Sequence, residues 1–292
     1  MTAVKTPTAP RPFYWSVRRE LWENRWVYIA PIVVAAVALV GVLLGLVSPA
    51  PDPAAAIDAA DRSPTLPSPW GGPIGWPFLA VMVVGWFYCL ESLQGERRDR
   101  SILFWKSLPV SDLTTVLSKA TIPFLVLPVL SFGLVIITLL LMLGLGAIVP
   151  LAGSAADMWP RLPPLRLSGL AIYFMAVLTV WHAPFYGWLL LVSAWARRAA
   201  FLWAVLPLIL IHVVESYTLG TGYFDSLLLH RWMGFFGQAF AFEAGGTAET
   251  IRSLPRITPG NLLASPGLWL GLAFTALCLA AAVRLRRHRD PV

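Results

Sequence analysis

The densest run of charge in the chain is Glu96-Arg97-Arg98-Asp99-Arg100, where carboxylates alternate with guanidinium groups. Groups of this kind pair with opposite charges on a surface. Ile102-Leu103-Phe104-Trp105 follows almost at once, then Lys106-Ser107-Leu108-Pro109-Val110-Ser111-Asp112. Four consecutive apolar residues in a water-facing connection cost free energy unless some surface covers them. The charges suit a short helix opening on Glu96 and Asp99, because carboxylates favour a first turn. Pro109 would end that helix, and Ser111 or Asp112 could cap the next. Two accounts fit: a loop whose apolar residues rest on lipid headgroups, or a helix that docks into the groove of a partner protein.

Other kinds of chemistry are scarce. None of Lys5, Lys106 and Lys119 follows a glycine, so the chain has no phosphate-binding P-loop. The histidines are isolated, with no HExxH spacing for zinc, and no serine sits in a GxSxG turn. The apolar runs hold no paired carboxylates of the sort a proton relay or an aspartyl membrane enzyme needs. An enzyme is therefore the weakest expectation. His182 is the one ionisable residue well inside an apolar run, where a functional role is the default reading. It also stands in Trp181-His182-Ala183-Pro184, where the proline frees a backbone carbonyl that a ring N–H could satisfy. Substrate contact and helix packing both remain open for it, with packing favoured. Glu91 and Glu215 fall near the ends of apolar runs and can reach headgroups or water.

The elements that must position these residues are membrane helices. Of 292 residues 58% are hydrophobic and 13% charged, against roughly half and a quarter in soluble domains. Mean hydropathy is +0.71. The formal charge of +7 does not point to nucleic acid, because the bases are scattered between apolar runs. Fourteen tryptophans suit interfacial belts. Cys89 and Cys278 lie inside apolar runs as small buried hydrophobes.

An all-α integral membrane protein of six spans is expected, at 27–47, 73–93, 120–149, 167–195, 199–215 and 267–283. Residues 1–26 form a tail and an aromatic, charged stretch in which Trp15, Trp22 and Trp26 share one helical face. Either an interfacial helix or a basic flank with aromatic anchors fits that stretch. The first span could also be a signal peptide, but 26 structured residues ahead of it favour a true span. Pro123 and Pro128 predict a kinked start to the third span. Within 216–266, Leu227–Phe242 is too short to cross and reads as an interfacial or partly re-entrant helix outside the membrane. Residues 284–292 are a basic tail.

Six spans divide the 22 basic residues between two sides. With the N-terminus inside, the inner face takes Lys5, Arg11, Arg18, Arg19, Arg25, Arg97, Arg98, Arg100, Lys106, Lys119, Arg197, Arg198, Arg284, Arg286, Arg287 and Arg289. Only Arg62, Arg161, Arg166, Arg231, Arg252 and Arg256 remain outside. That asymmetry puts both termini and the 96–112 stretch in the cytoplasm.

The run GERRDRSILFWKSLPVSD with the TVLSK that follows closely resembles the cytoplasmic connection of bacterial ABC exporter permeases of the type-2 class. The later WHAPFYGWLLLVSAWARRAAFLWAVLP is similar to their fourth-to-fifth span region. The resemblance implies a permease subunit of the bacterial inner membrane. Two permeases, two copies of this chain or a heterodimer, would work with two separate ATPase subunits that hold the ATP and magnesium. Glu96, Arg97, Arg98, Asp99, Arg100, Ile102, Phe104, Trp105, Lys106, Leu108 and Asp112 would then form the ATPase-coupling segment, with His182 and Glu91 on a substrate path or in packing. The chain itself would need no cofactor and no metal. An ion-coupled secondary transporter is the alternative, although only His182 offers the midplane charge it needs. A membrane-embedded enzyme ranks third.

Overall fold

Lipid offers the backbone no hydrogen-bond partner, so long uncharged runs must satisfy their N–H and C=O groups internally, as helices. The computed structural model describes residues 12–47, 75–99, 110–148, 164–241 and 256–288, about 91% of them helical. The order is α1 (Pro12–Glu23), α2 (Trp26–Val47), α3 (Gly75–Arg98), α4 (Asp112–Thr121), a π-helical turn (Ile122–Val126) and α5 (Leu127–Ile148). Then follow α6 (Pro164–Trp181), α7 (Ala183–Trp195), α8 (Ala200–Val214), a second π-helical turn (Glu215–Leu219) and α9 (Tyr223–Ala239). Two strands, β1 (Phe240–Ala241) and β2 (Arg256–Ile257), precede α10 (Pro259–Ala264) and α11 (Pro266–His288).

Four helices are long and apolar enough to cross a membrane: Phe78–Arg98, Asp112–Thr138, Ala200–Leu219 and Pro266–His288. Two bent pairs bring the number to six if each counts as one span. They are Pro12–Glu23 with Trp26–Gly41, bent by 56°, and Ser168–Trp181 with Ala183–Trp195, bent by 45°. Each apolar run expected to span coincides with one of these helices or pairs.

The boundaries differ in instructive ways. Glu96 does not open a new helix; it sits in the last turns of α3, which continues to Arg98 and closes with Asp99 N bonded to Gly95 O at 2.9 Å. Buried cation partners, described below, let the helix carry its charges inward. The helix that carries the third expected span reaches back beyond Ala120 to Asp112, because Ser111 caps α4 by accepting from Thr114 N at 3.1 Å. Of the prolines expected to kink its start, Pro123 lies inside the first π-helical turn and Pro128 just after it. The fourth span breaks at His182, since Pro184 cannot donate to the preceding turn.

Helix α9 runs along α6. Trp181 Nε1 donates to Arg231 O at 2.8 Å and Tyr173 OH to Ala239 O at 3.1 Å, so the two helices are antiparallel. Phe174 packs against Phe235 at 5.9 Å and Phe78 at 4.8 Å between ring centroids. The β1–β2 ladder, Phe240 opposite Ile257 and Ala241 opposite Arg256, follows directly. One apolar core gathers around Phe78, Phe174, Trp181 and Phe235, a second around Val27, Tyr88, Ile122, Tyr186 and Leu190. Helices α7 and α11 meet at Gly187, where a Cβ would stand 3.1 Å from the Thr275 Cα.

Candidate functional site

The site begins with α1, an amphipathic helix whose aromatic residues face outward. Trp15 and Trp22 are exposed, whereas Glu20 is wholly buried beside the partly buried Val17 and Leu21. A carboxylate in that position needs cations and donors around it. Lys119 Nζ stands 2.8 Å from Glu20 Oε1, Arg19 Nη2 lies 2.9 Å from the same oxygen, and Tyr88 OH donates to Glu20 Oε2 at 2.9 Å. Lys119, near the end of α4, is itself almost fully buried.

The same ammonium reaches Glu96 Oε1 at 3.1 Å, and Arg19 Nη2 reaches that oxygen at 3.3 Å. Arg286, in the last turn of α11, completes the cluster. Its Nη1 lies 2.7 Å from Glu96 Oε2 and its Nε 3.1 Å from Asp112 Oδ1. Three carboxylates (Glu20, Glu96, Asp112) thus face three bases (Arg19, Lys119, Arg286) contributed by α1, α3, α4 and α11. These six groups balance in charge and are largely removed from water, while the half-exposed Glu23 adds a carboxylate 3.6 Å from Arg19 Nε at the rim. Losing one member would strand an opposite charge, so the cluster behaves as one clamp.

A second clamp holds α3 to the turn between α7 and α8. Arg97 Nη2 donates to the carbonyls of Ser193 and, at 3.0 Å, of Ala196. Ser193 Oγ donates to Leu90 O at 2.7 Å and accepts from Leu93 N and Gln94 N at 3.1 and 3.0 Å. That turn includes Ala199 at φ 52°, in the left-handed region, just ahead of α8.

Of the residues singled out from sequence, the structure brings Glu96 and Asp112 into the neutral clamp and Arg97 into the second one. Arg98 stays exposed, 3.3 Å from Asp99 Oδ1 and 3.5 Å from Glu91 Oε1, pairs that water screens. Arg100, Ile102, Phe104, Trp105, Lys106 and Leu108 lie outside the described residues. His182 sits elsewhere, at the α6–α7 joint. It is buried, its Nδ1 is 2.9 Å from Leu178 O, and its ring packs among Phe185, Trp232 and Phe235.

Sequence reasoning did not single out Glu20, Arg19, Lys119, Arg286, Tyr88 or Ser193. One signal was available: Glu20 lies between Val17 and Leu21 on the helix face opposite Trp15 and Trp22, and Lys119 lies seven positions after Asp112 on α4. A charge on an apolar stripe of one helix asks for its counter-charge on another. Comparison with protein-family models, with characterised proteins and with solved structures finds no match to this chain.

Proposed function

We propose that this chain is the permease subunit of an ATP-driven exporter of the type-2 ABC class, with six spans and both termini in the cytoplasm. Its 96–112 segment would receive the motion of a separate ATPase subunit, and two permeases would share two ATPases. One observation carries this. The regions that the charge asymmetry puts inside meet at a single end of the bundle: α1, both roots of the 96–112 segment, the 196–199 turn and the end of α11. A push on the segment would then reach α1, α3, α4, α11 and the 196–199 turn at once, through Glu96 and Arg97 at one root and Asp112 and Lys119 at the other. Transport would follow from the resulting shift of α3, α4–α5 and α11 between inward- and outward-facing arrangements.

Affinity capture of the tagged full chain from its native membrane tests the assignment. The proposal expects a co-purifying subunit that carries a P-loop, and ATP hydrolysis only when that subunit is present. Turnover by the chain alone, or capture with no P-loop subunit, would rule it out.

A further inference from the structure

The outward face of α1 carries a group that neither clamp uses. Trp15, Arg18 and Trp22 stand at i, i+3 and i+7, a single stripe on the helix. The Arg18 guanidinium carbon lies 4.4 Å from the Trp22 ring centroid and 5.2 Å from that of Trp15. Both indoles remain 59% and 53% exposed, as is the neighbouring Tyr14 at 55%. Arg19, the next residue, directs its charge to Glu20, Glu23 and Glu96. Arg18 has no carboxylate partner among the described residues, and residues 1–11 contain no Asp or Glu.

A guanidinium held against aromatic faces is fixed in orientation while its in-plane N–H donors stay free, which suits a two-point grip on a phosphate. The exposed indoles supply an apolar surround of the kind that settles at the level of lipid headgroups. A soluble phosphate ester would gain nothing from that surround, whereas a phospholipid fills it with glycerol and the first methylenes of its chains.

We propose that Trp15, Arg18 and Trp22 form a binding site for the phosphate of an anionic membrane phospholipid of the phosphatidylglycerol kind. Arg18 faces the lipid, while Arg19 and Glu20, one and two residues on, face Lys119 and Glu96. Lipid at Arg18 therefore fixes α1 and, through the neutral clamp, the roots of the 96–112 segment. The site does not depend on the transport assignment and stands or falls separately from it.

The full chain in phosphatidylcholine nanodiscs, titrated with phosphatidylglycerol and followed by thermal unfolding and by lipid retained in native mass spectrometry, provides the test. The unfolding midpoint should rise with phosphatidylglycerol. Arg18→Gln should weaken that response about fivefold, as expected for one basic residue at an anionic surface. Arg198→Gln, which removes an exposed arginine of the 196–199 turn, should change it far less. Trp22→Leu, which keeps the charge but removes half of the aromatic grip, should also weaken it. Equal losses for Arg18→Gln and Arg198→Gln would reduce the effect to general surface charge and overturn the site. So would an unchanged response in Trp22→Leu, or displacement of the lipid by soluble glycerol 3-phosphate. If Arg18→Gln does not fold, Trp22→Leu and the competition with glycerol 3-phosphate still decide the matter.

Discussion

Lys119 keeps its ammonium between two carboxylates, Glu20 and Glu96, with its side chain 3% exposed. Buried ions in this arrangement stabilise little relative to apolar residues, but removing one partner leaves the others uncompensated. Lys119→Met should therefore lower unfolding stability by about 3–5 kcal/mol. Arg98→Ala, whose partners are Glu91 and Asp99 on an exposed face that water screens, should leave stability almost unchanged. Equilibrium unfolding of the purified protein in mixed micelles measures both. A double variant, Glu20→Gln with Lys119→Met, should lose less than the two single losses added together, because each removes the other's reason for instability. Comparable small losses for Lys119→Met and Arg98→Ala would show that the cluster is not a clamp.

At the scale of elements, α7 and α11 are pressed together by a missing side chain. Gly187→Ala would bring a Cβ to 3.1 Å from both the Cα and the Cγ2 of Thr275, where backbone must give way. The expected cost is about 1–3 kcal/mol, typical of an overfilled contact. Gly169→Ala on the exposed side of α6 meets nothing within 4 Å and should be neutral or slightly stabilising by the same measurement. Element positions were largely legible in the sequence, because uncharged runs of span length admit only helix. Their ends were less so. A span is expected from Ala120, where charge stops, and the helix that carries it reaches back to Asp112 because Thr115, Val116, Ser118 and Lys119 are buried by neighbours no single run reveals. The clamp was half legible for the same reason. Glu96 and Asp112 stood out as charges beside an apolar run, whereas Glu20 and Arg286 acquire their meaning only when α1 and α11 meet them. The break at His182 could be read from Pro184, but its 45° bend could not.

For the whole molecule, the proposed topology, six spans with both termini inside, predicts a definite pattern of access. In a background with Cys89→Ala and Cys278→Ala, a cysteine replacing Ala55 or Gly245 should react with an impermeant maleimide added to intact cells. Ser101→Cys should react only after the membrane is opened. Labelling of Ser101→Cys from outside would overturn the topology. The central claim is that the 96–112 segment transmits work from an ATPase, and its apolar residues are where association energy should concentrate. Large aromatic anchors in such contacts cost about 2 kcal/mol or more when truncated, whereas rim arginines chiefly alter salt dependence. The most direct measurement is the amount of P-loop ATPase recovered with tagged Phe104→Ala and Trp105→Ala, at matched membrane insertion, together with transport-linked hydrolysis. The account predicts reduced recovery, or hydrolysis uncoupled from transport, in at least one of the two. Wild-type recovery and wild-type coupling in both would contradict it, leaving the segment a loop at rest on the membrane surface.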